Sequence, residues 1–175
     1  MQDADSRAAR AGKPVSASAS VLASLMEPAA ANPMGNIHGG HIMKLVDQAA
    51  ATAAIRHAER ICVTASIDRL DFVNAVHIGD LLTLKSAVNY THRTSMEVGV
   101  RVETERLVSG ERMQVASALL TFVALDAAGK PTPVPAVIPQ SDVEKLRYRQ
   151  AELRYAQRRE LRAKESAMRE AHEAD

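Results

Sequence analysis

Four residues in one short stretch are equipped for chemistry: Asn36, Gly39, Gly40 and Asp47, within Asn32-Pro33-Met34-Gly35-Asn36-Ile37-His38-Gly39-Gly40-His41-Ile42-Met43-Lys44-Leu45-Val46-Asp47. A positioned carboxylate serves as a general base on water or as a nucleophile. A side-chain amide offers a donor and an acceptor, enough to orient a water or a carbonyl. Backbone N–H groups at a helix start suit an oxygen on which negative charge develops, and glycine lets such a group come close. Each residue also has a plain structural reading. Asn36 alone fits a turn or a helix cap, and Asp47 alone fits a hydrogen-bonded polar residue at an interface. His38 and His41 bring no second pair of ligands, which argues against a catalytic metal. Arg93-Thr94-Ser95 supplies a guanidinium, hydroxyls and amides suited to phosphate, although many turns share that composition.

The elements that position these residues are legible in the pattern. Asn-Pro and Met-Gly-Asn are turn chemistry. From His41 onward Ile42, Leu45, Val46, Ala49, Ala53 and Ala54 recur at spacings of three and four, while Ala50, Ala51 and Thr52 keep the other faces nearly free of charge. That predicts a buried helix from Gly39–Gly40 to about His57, with its donors at the start and Asp47 two turns inside. A carboxylate at such depth is costly unless hydrogen-bonded or put to use.

Around this helix the chain reads as strands. Val15 to Met26 alternates small polar and apolar residues and predicts a first strand. Ile61, Val63, Ala65 and Ile67 alternate with Cys62, Thr64, Ser66 and Asp68, a second strand by its period of two. Leu82, Leu84, Ser86, Val88 and Tyr90 line one face of a third. Met96, Val98, Val100 and Val102 line a fourth, whose other face, Glu97, Arg101, Glu103 and Glu105, reads as wet. Ser109-Gly110 marks a hairpin, and Met113 to Leu125 a long interior strand. One strand, one long helix and four strands ordered mainly by hairpins make an α+β layout. Residues 1–13 read as a disordered arm, 14–138 as the domain and 139–175 as a charged helical extension. Ser141 with Glu144 predicts a capping box at its start. Glu160 with Lys164 and Glu165 with Arg169 support the helix, which carries a thin apolar stripe of Val143, Leu146, Leu153, Leu161 and Met168. It reads as mostly solvated and peripheral.

Composition narrows the function. The 175 residues carry a net charge of +1 and only 3% aromatics, with no Trp, which argues against nucleic acid and an anionic membrane surface. The single cysteine, Cys62, excludes an internal disulfide and reads as a small core residue. No apolar run is long enough for a signal peptide or a membrane span, so the expectation is a soluble cytoplasmic protein.

Asn-Pro-x-Gly-Asn-x-His-Gly-Gly followed by an apolar helix with Asp47, then Phe72-Val73-Asn74 with Gly79-Asp80, Arg93-Thr94-Ser95-Met96-Glu97-Val98, and a strand ending Thr121-Phe122-Val123-Ala124, resembles the hotdog-fold acyl-CoA thioesterases, in their bacterial and cytosolic acyl-CoA hydrolase branch. The resemblance runs from about Val15 to Val137. It implies a long helix wrapped by an antiparallel sheet, a dimer that often assembles as a trimer of dimers, and hydrolysis of acyl-CoA without a separate cofactor, coenzyme A being part of substrate and product. It implies that Asn36 and Asp47 act as a pair drawn from opposite subunits. Oxyanion donors would be the amides of Gly39, Gly40 or His41, and Arg93, Thr94 and Ser95 would hold the nucleotide of coenzyme A. Hotdog enoyl-CoA hydratases carry an Asn-Pro-x-His context, whereas Gly35 follows Met34 here. Hotdog acyl-CoA-binding regulators carry a DNA-binding segment, for which residues 1–13 are too short. Acyl-carrier-protein thioesters remain open, as does the length of the acyl chain.

Overall fold

The structure, a computed structural model, describes residues 11–173. Strand β1 (Lys13–Pro14) is followed by β2 (Ser20–Leu25), helix α1 (Gly39–Ala58), β3 (Cys62–Phe72), β4 (Asp80–Thr91), β5 (Ser95–Arg106), β6 (Glu111–Ala124), β7 (Val137–Ile138) and helix α2 (Asp142–Glu173). Strands β2 to β6 form one antiparallel sheet in the order β2-β4-β5-β6-β3. The short β1 and β7 pair in parallel beside it.

Helix α1 lies across one face of the sheet, the hotdog arrangement that the resemblance implies. Its sequence allows an unusually close approach. Ala49, Ala50, Ala53 and Ala54 are fully buried and add little bulk, so the Ser86 hydroxyl of β4 reaches across to donate to the Ala49 carbonyl at 2.7 Å. Val46 of the helix and Leu82, Leu84, Val88, Val98, Val102, Leu120 and Phe122 of the sheet complete the core. The helix ends where Glu59 turns into the left-handed region at φ 53° and its N–H returns to the Ile55 carbonyl.

The hairpin expected at Ser109–Gly110 is present, and a second turn joins β4 to β5 at His92–Thr94. His92 N–H donates to the Ser95 carbonyl, and Gly110, at φ 71°, donates to that of Arg106. Three expectations differ. The segment 15–26 is not one strand: Val15–Ala17 forms a single 3-10 turn, and Ser18 uses its hydroxyl to bond the Val15 carbonyl and the Val88 N–H. The strand after the helix does not pair with the next one in sequence. β3 crosses to the far edge and pairs only with β6. Its period of two also breaks, because the register shifts between Thr64 and Ser66 and again between Ile67 and Arg69. Each β-bulge inserts a residue and re-aims the side chains beyond it. Most of the arm read over residues 1–13 falls on 1–10, outside the described residues. Lys13 sits in β1, its ammonium bonded to the His57 carbonyl and to Glu59.

Helix α2 begins at the expected capping box: Glu144 Oε2 accepts from Gln140 and Ser141 N–H, and Glu144 N–H donates to Ser141 Oγ. Its 32 residues span about 48 Å at the usual rise. Ala151 is buried against the domain, and the half-buried Tyr148, Arg154, Tyr155 and Arg158 flank it. Tyr155 stacks on His92, and Tyr148 meets Tyr90 edge-on. The apolar stripe points elsewhere, with Val143, Leu146, Leu153, Leu161 and Met168 all exposed. Glu97 is not on a wet face either. Helix α2 covers it and Arg154 grips it with two hydrogen bonds, leaving it 2% exposed.

Candidate active site

The turn before α1 is held by Asn32. Its Oδ1 accepts the N–H groups of Met34 at 2.9 Å and Asn36 at 3.2 Å, and its own N–H donates to the Asn36 carbonyl at 2.7 Å. Gly35 takes φ 82°, a conformation that favours glycine. Ile37 then pairs with the Val76 carbonyl and His38 with that of Ala30. The result delivers His38 as the helix N-cap, and its Nδ1 accepts from Gly40 N–H at 2.9 Å. This settles a role for His38 that sequence reasoning missed. It also divides the two glycines: the Gly40 amide is engaged as part of the cap, while the Gly39 amide has no acceptor among the described residues.

Asn32, Asn36, Gly39, Ile42, Phe72 and Val76 line a cleft of about 380 Å³ at this helix end. Asn36 and Gly39 therefore share one cleft. Asp47 is not among them. It lies eight residues beyond Gly39 on α1, about 12 Å along the axis. There it is half-buried, and its Oδ1 accepts from the Thr64 hydroxyl of β3 at 2.6 Å. Thr64 was not singled out in the sequence, because alternation along β3 gives no sign that this one polar residue leans onto the helix. In the register with β6, Thr64 stands opposite the core residue Phe122. Val63, Ile67 and Phe72 of β3, the edge strand of the sheet, and Ile61 just before it are between 43% and 70% exposed.

Arg93, Thr94 and Ser95 form the β4–β5 turn, apart from both groups. Their backbone oxygens bond Val134, Ala124 and His92 N–H respectively. The Arg93 side chain is exposed and has no partner among the described residues. Cys62 packs against the core, where burial pushes its thiol up to about 11, so it is no thiolate nucleophile. Among the described residues no group of three or more His, Cys, Asp or Glu could hold a metal ion. None of the described helices is long and apolar enough to cross a membrane.

The chain belongs to the thioesterase superfamily, whose model matches residues 34–110 and whose members include well-covered relatives of this chain. The cytosolic acyl coenzyme A thioester hydrolase of Rattus norvegicus is 38% identical over 145 residues, 82% of this chain; the chain spans only 38% of that relative's length. An apo-hexameric acyl-CoA thioesterase is 42% identical, with a TM-score of 0.84 over 87% of this chain and 98% of its own. The acyl-CoA hydrolase of Staphylococcus aureus, solved with butyryl coenzyme A, coenzyme A and coenzyme A disulfide, is 36% identical, with a TM-score of 0.82 over 93% and 99%. That enzyme has also been solved with an Asn, an Asp and a Thr each changed to Ala, the Asn 15 residues before the Asp and the Thr 17 after it.

Proposed function

We propose that this protein hydrolyses acyl-CoA thioesters to a free acid and coenzyme A, at a site shared between two copies of the chain. The observation that carries this reading is the Thr64–Asp47 hydrogen bond at 2.6 Å. It fixes one oxygen of a half-buried carboxylate and leaves the other for a water or an acyl carbon. Asn32, Asp47 and Thr64 also stand at the intervals of the three residues changed in the staphylococcal enzyme.

The geometry supports the following roles. Asp47 acts as general base on water, or attacks the thioester carbonyl itself to form an anhydride that water then opens. The Gly39 amide donates to the oxyanion; Gly40, already bonded to His38, supports the helix end rather than the substrate. On collapse of the tetrahedral intermediate the electron pair leaves on the coenzyme A thiolate. The cleft holds Asn32 and Asn36, both candidates for orienting water or carbonyl. Asn32 takes precedence, because its interval matches and its Oδ1 is engaged by the turn, so that its Nδ2 remains as the donor.

Because Asp47 and the cleft are separated along one helix, a complete site needs the cleft of a second chain. The unpaired side of β3 and its exposed apolar residues suit that partner. A dimer, assembled further as a trimer of dimers, is the proposed form. The nucleotide of coenzyme A is assigned to Arg93, Thr94 and Ser95. The reaction draws on water and protein groups alone, and the cytosol named for the rat relative is the proposed compartment.

The test is release of free thiol from a panel of acyl-CoAs. Mixing Asp47→Asn with a cleft variant, Asn32→Asp, and allowing subunits to exchange restores up to half of the sites that a mixed dimer contains. No turnover in the parent protein, or no recovery on mixing under conditions where exchange is verified, would count against a shared catalytic site.

A further inference from the structure

We propose that Arg158 of the tail helix is a positioning residue for the candidate active site: acting through Asp68, it holds the bulged segment of β3 that aims Thr64 at Asp47. This rests on the reading of Thr64 and Asp47 given above. The geometry begins with the two bulges. Thr64 is opposite Phe122 on β6, and the next paired residue is Ser66, opposite Thr121. Cys62, Val63 and Thr64 pair in unbroken register, with Thr64 on the side of α1; Ala65 is the inserted residue, and beyond it Ser66 faces the other side of the sheet. A bulged strand has lost part of its ladder, and β3 is interrupted twice, between Thr64 and Ser66 and between Ile67 and Arg69. A side-chain tie across these steps holds what the ladder does not.

Asp68 supplies that tie. It sits at the second bulge, 10% exposed, with Oδ1 accepting from Ser66 Oγ at 2.7 Å and Oδ2 from Thr121 Oγ1 at 2.6 Å. The carboxylate therefore spans the two strands at the step beside Thr64. Among the described residues it pairs with a single cation, Arg158, whose Nη1 lies 2.8 Å from Oδ2 and 3.5 Å from Glu97 Oε2. Glu97 belongs to β5, paired on both sides, and is already held by Arg154. So two arginines one helical turn apart have different tasks. Arg154 docks the helix on a strand that the sheet already fixes. Arg158 reaches the strand whose ladder is broken by two bulges, and removing one member of a pair this buried leaves a poorly compensated charge. The tail helix is then part of the catalytic apparatus, acting from the opposite face of the sheet.

The experiment uses the full chain. In Arg158→Ala, kcat for an acyl-CoA falls by roughly tenfold with KM within about twofold, as for loss of an interaction that serves the transition state. In a Thr64→Val background the same substitution costs nothing further, the non-additivity expected of residues acting through one another. Arg158→Lys recovers part of the rate. Arg154→Ala lowers Tm while kcat stays within about twofold of the parent. Hydrogen exchange at the Ala65 and Ser66 amides quickens in Arg158→Ala and not in Arg154→Ala; if the alanine variant does not fold, Arg158→Gln takes its place. Parental kcat in Arg158→Ala, a full additional loss in the Thr64→Val background, or unchanged exchange at Ala65 and Ser66 would overturn the assignment. Should the parent hydrolyse no acyl-CoA, the proposed function fails, and the exchange measurement still decides whether Arg158 holds β3.

Discussion

Thr64 and Asp47 are 17 residues apart in sequence, on an edge strand and a buried helix, and meet through a 2.6 Å hydrogen bond. The hydroxyl donates, so the carboxylate is held in one orientation with one oxygen still uncommitted. Asp47→Asn preserves size but removes the base or nucleophile, and kcat for acyl-CoA is expected to fall by roughly 10²–10⁴-fold. Thr64→Val keeps the shape and loses the donor. A hydrogen bond to a charged group contributes about 1.5–3 kcal/mol, which sets the expected loss at about tenfold to a hundredfold. Thr64→Ser retains most of the rate. Steady-state kinetics with tight control of oligomeric state measure all three, and an unchanged kcat in Asp47→Asn would remove the carboxylate from the mechanism.

Asn32 and Asn36 compete for one role and can be separated by what each side chain already does. Asn32→Asp keeps the acceptor that holds Met34 and Asn36 N–H and replaces the Nδ2 donor. The turn persists while turnover drops by about a hundredfold, within the range seen when one oxyanion-type donor is lost. Asn36→Ala removes no hydrogen bond that shapes the turn and costs less than about tenfold. A larger loss in Asn36→Ala than in Asn32→Asp, with both variants folded, would reverse the assignment.

The turn, the buried helix, Asp47 and the capped tail were legible because each is local: turn residues, a 3.6-residue period and a capping box are written within a few positions. The features that escaped sequence reading depend on register. Thr64 looks like any polar residue of an alternating strand, grouped with Ser66 and Asp68, until the bulge at Ala65 sends those two to the other side and leaves Thr64 facing α1. Glu97 belongs by pattern to the charged face of β5, and only Arg154, 57 residues later, makes it a buried residue. The spacing of His38 disfavours a metal role and points to no other, because a histidine N-cap has no sequence signature of its own. The pairing of β3 with β6 rather than β4 is likewise a choice between distant segments.

Arg93 stands exposed at the β4–β5 turn with its guanidinium unengaged among the described residues. A contact there with a remote phosphate stabilises bound substrate and transition state alike, so Arg93→Ala raises KM with little change in kcat. The loss in kcat/KM is about 1–2 kcal/mol for one charge-assisted contact. A pantetheine thioester, which lacks the nucleotide, shows no such difference between parent and variant. Equal losses on both substrates would take Arg93 out of the nucleotide site.

His57 makes the fold sensitive to acid. It is fully buried in the last turn of α1, with Nε2 bonded to the Pro135 carbonyl at 2.9 Å and Nδ1 without a partner among the described residues. Burial lowers its pKa from the ordinary 6.5, and the nearby Lys13 ammonium adds to this, while the bond to Pro135 works the other way. The folded state therefore holds the ring neutral and binds the proton less readily than the unfolded chain. Its contribution to stability is whole above about pH 6.5 and is lost as pH falls from there toward the lowered folded value. Replacing His57 with Gln removes that titration and can leave a bond to Pro135. Thermal unfolding between pH 7.5 and 5.5 is expected to show Tm falling more steeply in the parent than in His57→Gln, even if the variant starts from a lower Tm. Parallel pH profiles in the two proteins would show that His57 does not charge on unfolding in this range.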